Sequence, residues 1–168
     1  SASTGLGLIV NSASELSKTI QNHDELVNKI ESLIKNTKIY LGVKNIDYAI
    51  KGGRVPKFKG VIAKALNMKP ILSTDSEGKL KAESALFGIK NFHTRLATFV
   101  ISKIDDNAHY KFSISHSNAE DEGHEIVEFI EDNFKNTVSI DLVEMGSALG
   151  VHAGPGSFGI GVQKIIDE

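Results

Sequence analysis

Glycine residues cluster around a single histidine near the end of the sequence. Six of the fifteen glycines lie between Gly146 and Gly161, and His152 lies among them. Because glycine loses the most conformational entropy on folding, this clustering indicates tight turns or a close backbone approach. The pattern predicts a bent loop whose backbone N–H groups and imidazole could bind a carboxylate or phosphate oxygen. An equally weighted alternative is a tight chain reversal in which the backbone satisfies His152.

Known glycine-rich nucleotide motifs do not fit this segment. A dinucleotide fingerprint would be followed by a helical pattern, and none follows here. A Walker loop is excluded because the chain contains no Gly-Lys-Ser/Thr triplet. The remaining prediction is therefore an anion-binding loop or a structural turn.

A second glycine segment precedes one of the two arginines in the chain. Gly52 and Gly53 stand between Lys51 and Arg54, where a loop could present a guanidinium to a planar anion. A helix that ends in cations, which favour its dipole, is the preferred alternative. The stretch 51–69 holds six basic residues and no acid, so it could dock an acidic partner or simply be a solvated face.

His116 is the other histidine in a position suited to ligand binding. It follows a predicted strand and precedes a predicted helix, and strand ends often face ligands in α/β sheets. It could equally cap the helix. No HExxH pair and no Gly-x-Ser-x-Gly elbow occurs in the chain, so the sequence gives little support to an enzyme.

The composition restricts the protein class further. The 168 residues include no cysteine, which excludes disulfides, thiol catalysis and zinc–thiolate sites. A net charge of -2 gives no global reason to bind nucleic acid. No apolar run approaches the roughly 18–20 residues of a membrane span, and the N-terminal residues lack the pattern of a secretory signal. We therefore expect a cytoplasmic protein without integral membrane association.

Hydrophobic periodicity predicts an α/β (α+β) domain with a mixed β-sheet flanked by helices. Two capping patterns support the helix starts, one at Asn22 with Glu25 and one at Ser117 with Glu120. Helices are predicted over 5–20, 22–34, 46–51, 58–66, 89–100 and 117–134. Strands are predicted over 38–43, 70–74, 79–86, 109–115, 137–144 and 158–163, the one at 109–115 with one side buried.

These motifs together resemble the DegV family of bacterial fatty-acid-binding proteins. Family members carry Lys-Gly-Gly-Arg, matched at 51–54, then a helix and a Lys-Pro-Ile strand, matched at 69–71. They finish with Gly-x-x-x-Gly-x-His-x-Gly-Pro-Gly, matched at 146–156. The stretch 3–8 and the Ser115-His116 pair are also similar, so the resemblance covers essentially the whole chain.

The resemblance implies a two-lobed fold in which a long-chain fatty acid lies in an apolar tunnel. Residues 1–168 would form the C-terminal lipid-binding lobe, and residues 1–36 would be a helical segment bridging from an N-terminal lobe. The fatty acid would be the ligand, with no other cofactor. The implied ligand-binding residues are His152, Ser147, Gly154, Gly156 and His116.

The resemblance also implies a partner. A fatty acid kinase would phosphorylate the bound acyl group for phospholipid metabolism, and the binder itself would supply no chemistry. Lys51, Arg54 and Lys57 would form the docking face for that kinase. Two alternatives stay open: a phosphoryl- or acyl-transfer enzyme that uses His152 and Arg54, and a structural lobe that binds nothing.

Overall fold

A computed structural model describes residues 2–53 and 67–165 of the chain. The helices are α1 (Ser3–Thr19), α2 (His23–Lys35), α3 (Ile46–Lys51), α4 (Phe92–Ile101), α5 (Glu120–Asn133) and α6 (Ser147–Ala153). The strands are β1 (Thr37–Gly42), β2 (Met68–Thr74), β3 (Leu80–Phe87), β4 (Tyr110–His116), β5 (Thr137–Glu144) and β6 (Phe158–Lys164). The predicted helix over 58–66 lies outside the described residues.

The strands of this part of the chain form one six-stranded sheet in the order β3-β2-β1-β6-β4-β5. β4 and β5 are parallel, whereas the other neighbouring pairs are antiparallel. The predicted mixed sheet flanked by helices is therefore confirmed. β6, the last strand along the chain, lies in the interior of the sheet and joins β1 to β4.

Helices α4 and α5 bury one face of the sheet. Leu96 of α4 and Ile126 of α5 are fully buried with Phe112 of β4 and Ile160 of β6 in one apolar cluster. Gly42 of β1 permits this close packing, because a β-carbon there would lie 2.6 Å from the Leu96 side chain. This face forms the hydrophobic core.

Helix α1 covers the opposite face of β6 and its neighbours. Gly161 lets the helix approach, because a β-carbon there would lie 2.9 Å from the backbone nitrogen of Gly5. Polar groups join the elements beneath the helix: Ser12 Oγ donates to Gln163 Oε1 at 2.6 Å, and Gln163 Nε2 donates to Thr37 Oγ1 at 2.9 Å. β4 is consequently buried on both faces, so the predicted one-sided burial of this strand is wrong.

The two predicted helix caps have different outcomes. The Asn22 side chain accepts a hydrogen bond from the backbone N–H of Glu25 at 3.0 Å, which confirms the first cap. The second is wrong, because α5 begins at Glu120 and the backbone N–H of Ala119 donates to Nδ1 of His116 at 3.3 Å. The imidazole of His116, and not the hydroxyl of Ser117, therefore bonds to the residue that precedes the first turn of α5.

Candidate functional site

An apolar cavity of about 140 Å³ lies on the sheet face beside α1. β1, β2 and β3 form its floor, and α3 and α6 lie over them. Most of its lining side chains are aliphatic or aromatic: Leu41, Val43, Ile46, Ala49, Pro70, Leu72, Leu80, Ala82, Met145, Leu149, Ala153 and Phe158. The polar side chains in its wall are His152 and Ser157. The cavity thus has mostly apolar walls and one polar end.

Among the described residues, no long helix lies over β2 and β3 on this face. α1 packs against β6, β4 and β1, which leaves the same face of β2 and β3 to other elements. The short helices α3 and α6 pack against each other over this region. Alternate residues of the strands, such as Leu41 and Leu72, therefore point into a chamber instead of a close-packed core.

The segment that carries His152 is a helix, so the predicted bent loop is wrong over 147–153. The helix propensity of this segment is low because it contains Gly150, but packing against α3 stabilises the helix despite that low propensity. The bend comes directly afterwards, where Gly154 has a φ of 76° and Gly156 a φ of 73°. Both conformations favour glycine.

Close packing adds a second requirement at these two glycines. A β-carbon at Gly154 would lie 2.4 Å from the ring of Tyr48, and one at Gly156 would lie 2.4 Å from the side chain of Lys44. The two residues serve the backbone geometry that returns the chain from α6 to β6. Neither contributes a side chain to the cavity.

His152 is half-buried, and its Nδ1 atom is fully buried. Among the residues that the structure describes, this nitrogen has no hydrogen-bond partner. The ring lies against Gly52, where a β-carbon would be 2.1 Å from Nδ1. The double-glycine segment and the glycine-rich segment, one hundred positions apart, therefore meet at this imidazole.

Ser157, the other polar side chain in the wall, has its hydroxyl fully engaged. Its Oγ donates to the carbonyl of Ala153 at 2.7 Å and accepts from the backbone N–H of Lys44 at 3.1 Å. Ser157 therefore fixes the turn between α6 and β6. His152 is left as the wall residue with free hydrogen-bonding capacity in this part of the chain.

The other predicted site residues lie elsewhere. His116 is buried, caps α5 through Nδ1 and lines a different cavity with Asn118, His124 and Glu144. Ser147 is exposed at the start of α6 and does not line the apolar cavity. The structure thus brings His152 to the cavity and leaves these two residues outside it.

The predicted docking cations can be located only in part. Lys51 is exposed in the last turn of α3, directly before the Gly52 that packs on His152. Arg54 and Lys57 lie outside the described residues. Lys51, one of the three predicted docking residues, is thus adjacent in sequence to the residue that contacts the imidazole.

Two further observations concern metal ligands and membrane spans. Within residues 2–53 and 67–165, no group of His, Asp and Glu side chains could hold a metal ion. In the same ranges, no helix is long and apolar enough to cross a bilayer. The apolar wall could not be recognised in the sequence, because alternating aliphatic residues in strands are the same signal that a filled core gives.

Comparisons with known proteins agree with the sequence resemblance. The sequence model described as "Uncharacterised protein, DegV family" matches residues 1–164. A DegV domain-containing protein from Clostridium acetobutylicum is 31% identical over 160 residues, which are 94% of this chain and 56% of the relative. One from Clostridium perfringens is 29% identical over 161 residues, which are 96% of this chain and 57% of the relative. The chain therefore spans a little over half the length of these curated relatives.

Solved structures give the same result. A fatty-acid-binding DegV family protein from Streptococcus agalactiae is 26% identical, with a TM-score of 0.81 over 95% of this chain and 56% of its own. A DegV family protein from Thermus thermophilus, at 22% identity, shares the fold with a TM-score of 0.84 over 98% of this chain and 59% of its own. By sequence and by fold, this chain belongs to the DegV family.

Proposed function

We propose that this chain binds a long-chain fatty acid as the C-terminal lobe of a two-lobed carrier. In this proposal, residues 1–36 connect this lobe to an N-terminal lobe. The carrier presents the acid to a fatty acid kinase, which forms the acyl phosphate. The chain acts as a binding module, and the partner carries out the chemistry.

The observation that carries the proposal is His152, which lines the apolar chamber and whose buried Nδ1 packs on Gly52 without a hydrogen-bond partner among the described residues. Burying a polar group without a partner costs free energy, so an imidazole in a cavity wall suits a ligand that supplies a hydrogen bond. A fatty acid carboxyl group offers that partner, and its alkyl tail suits the aliphatic walls. A phosphoester or sugar would leave its polar groups unpaired against those walls.

The similarity to the Streptococcus agalactiae protein supports the same ligand class, because that protein is described as fatty-acid-binding. Two segments that carry the family resemblance, 51–54 and 146–156, supply Gly52 and His152, which are in contact here. Chemistry and homology thus favour the same ligand for this chain.

The kinase step of the proposal is supported by charge and position. Lys51 is exposed beside the contact between Gly52 and His152, so a docked partner could reach the carboxyl end of the acid. Arg54 and Lys57 continue this basic segment in the sequence. An ATP-dependent partner of this kind acts in the cytoplasm, which is the compartment that we propose.

Fatty acid binding can be tested in the two-lobed protein of which this chain would form the C-terminal lobe. Native mass spectrometry of protein purified from a bacterial host should detect co-purified fatty acid, and calorimetry with palmitate should give a saturable isotherm. His152→Ala should weaken palmitate binding by about 1–3 kcal/mol, the size of a lost hydrogen bond to a charged group. His124→Ala, which removes an exposed histidine from α5, is the matched control.

The outcomes separate the hypotheses. Equal palmitate affinity in the wild type and the His152→Ala variant would contradict the role of the imidazole. Absence of binding in the wild type, with a native circular dichroism spectrum, would favour the structural-lobe alternative. Turnover of a phosphoester by the chain alone would favour the enzyme alternative.

A further inference from the structure

The apolar cavity has a polar end and an apolar end. The polar end lies on the β6 side, because Ser157 precedes the first residue of β6 and its hydroxyl bonds to Ala153, the neighbour of His152. On the opposite side, Leu80 and Ala82 of β3 line the wall. β3 is the edge strand, three positions from β6 in the sheet. A bound amphiphile with its head at His152 would therefore direct its tail towards β3.

The strand register builds a single row of side chains across this floor. Leu41 of β1 pairs with Leu72 of β2, and Leu72 pairs with Ala82 of β3. Paired residues project from the same face of a sheet, and three adjacent strands span roughly 10 Å. The row thus leads from the centre of the cavity to its β3 end.

A β-bulge between Ile71 and Leu72 determines which β3 residue completes the row. Before the bulge Ile71 pairs with Ser84, and after it Leu72 pairs with Ala82. The bulge therefore places the methyl group of Ala82 in the wall. Ala82 is much smaller than the two leucines of the row, so its side chain fills less of the β3 end of the chamber than a leucine would.

We propose that Ala82 determines the longest acyl chain that this cavity accepts, because its small side chain leaves room for the methyl end of a long straight-chain fatty acid. This inference rests on the proposed function. Leu80, two residues earlier on the same face, forms the remaining end wall and is 43% exposed. Enlarging Ala82 should exclude long chains, and shortening Leu80 should admit longer ones.

The test compares laurate and palmitate binding by calorimetry in four proteins: the wild type, Ala82→Phe, Leu80→Ala and Ser84→Phe. Ala82→Phe should lower palmitate affinity about tenfold or more relative to laurate, the discrimination that one or two misfitting methylenes produce. Leu80→Ala should shift the ratio in the opposite direction. Ser84→Phe is the matched control, because Ser84 is exposed and lies outside the cavity wall.

Failure of this inference differs from failure of the proposed function. If the wild type binds palmitate and the laurate-to-palmitate ratio is unchanged in Ala82→Phe and Leu80→Ala, Ala82 does not set chain length, although the function stands. If the wild type binds neither acid, both proposals are wrong. If Ala82→Phe does not fold, as judged by circular dichroism, Leu80→Ala still tests the inference. Leu80 is partly exposed, so its truncation should disturb the fold less.

Discussion

The contact between Gly52 and His152 allows a sharp test of how the site is assembled. Gly52 has a φ of -75°, a conformation that alanine adopts without strain. In such a position, replacing glycine with alanine normally stabilises a protein by about 0.4–1 kcal/mol, because the unfolded chain loses entropy. Any destabilisation by Gly52→Ala must therefore come from the new methyl group.

The size of the steric effect follows from the geometry. The alanine β-carbon would lie 2.1 Å from His152 Nδ1, whereas ordinary contacts begin at 3.4 Å, so the ring must move by at least 1.3 Å. Overpacking of this kind costs about 1–3 kcal/mol. We expect Gly52→Ala to lower the free energy of unfolding by that amount and therefore to lower the urea midpoint. The variant should also bind palmitate more weakly, because the imidazole leaves its position.

A double-mutant cycle isolates the contact. In a His152→Ala background the methyl group has no imidazole to displace and only its 3.1 Å approach to the Tyr48 carbonyl oxygen remains, so Gly52→Ala should destabilise the protein much less. Gly53→Ala is the matched control: Gly53 has a φ of 69° and open space around it, so its cost is backbone strain and should be equal in both backgrounds. Urea denaturation followed by far-ultraviolet circular dichroism measures all six proteins. Equal destabilisation by Gly52→Ala in both backgrounds would refute the reasoning.

Three further predictions concern other parts of the molecule. Gln163→Leu should lower the free energy of unfolding by about 1–3 kcal/mol, because the buried Ser12 hydroxyl loses its acceptor, whereas Thr37 keeps its bond to the Leu33 carbonyl; an unchanged urea midpoint would show that water replaces the amide. The backbone N–H of Asn107 lowers the pKa of Asp105 below its usual 3.8, so this carboxylate stabilises the fold above that pH and the contribution is lost as the pH falls through the lowered value. Asp105→Asn should therefore flatten the dependence of the urea midpoint on pH below about 4, and an unchanged slope would contradict this. In the two-lobed protein, Arg54→Glu combined with Lys57→Glu should slow acyl-phosphate formation by a fatty acid kinase at low salt while fatty acid retention stays intact, and wild-type turnover and salt dependence would show that the basic segment is only a solvated face.

Elements defined by local signals could be predicted from the sequence. α2 begins where Asn22 accepts from the Glu25 N–H, and the β2–β3 hairpin turns where the Asp75 side chain accepts from the backbone of Glu77. Each signal lies within a few residues of the structure that it produces. Short-range hydrogen bonds of this kind do not depend on the rest of the fold.

Features that depend on distant contacts could not be predicted in this way. The helix around His152 forms despite Gly150 because α3 packs against it, and α3 lies about one hundred residues earlier. The resemblance pointed to His152, but the role of Gly52 as the surface beneath its ring required the folded structure. Nor does a strand sequence reveal whether Ala82 faces a filled core or a chamber.

β6 follows the other described strands in the sequence but lies in the interior of the sheet, so the sheet can form completely only after β6 has been synthesised. Before residues 158–164 leave the ribosome, β1 and β4 each have an unpaired edge, and the strands on either side of the gap cannot join. Such long-range pairing is slow and leaves strand edges exposed to aggregation. Because His152 lies only six residues before β6, capture of the proposed fatty acid would be among the last events of folding, and nascent chains that stall before this strand should depend on chaperones.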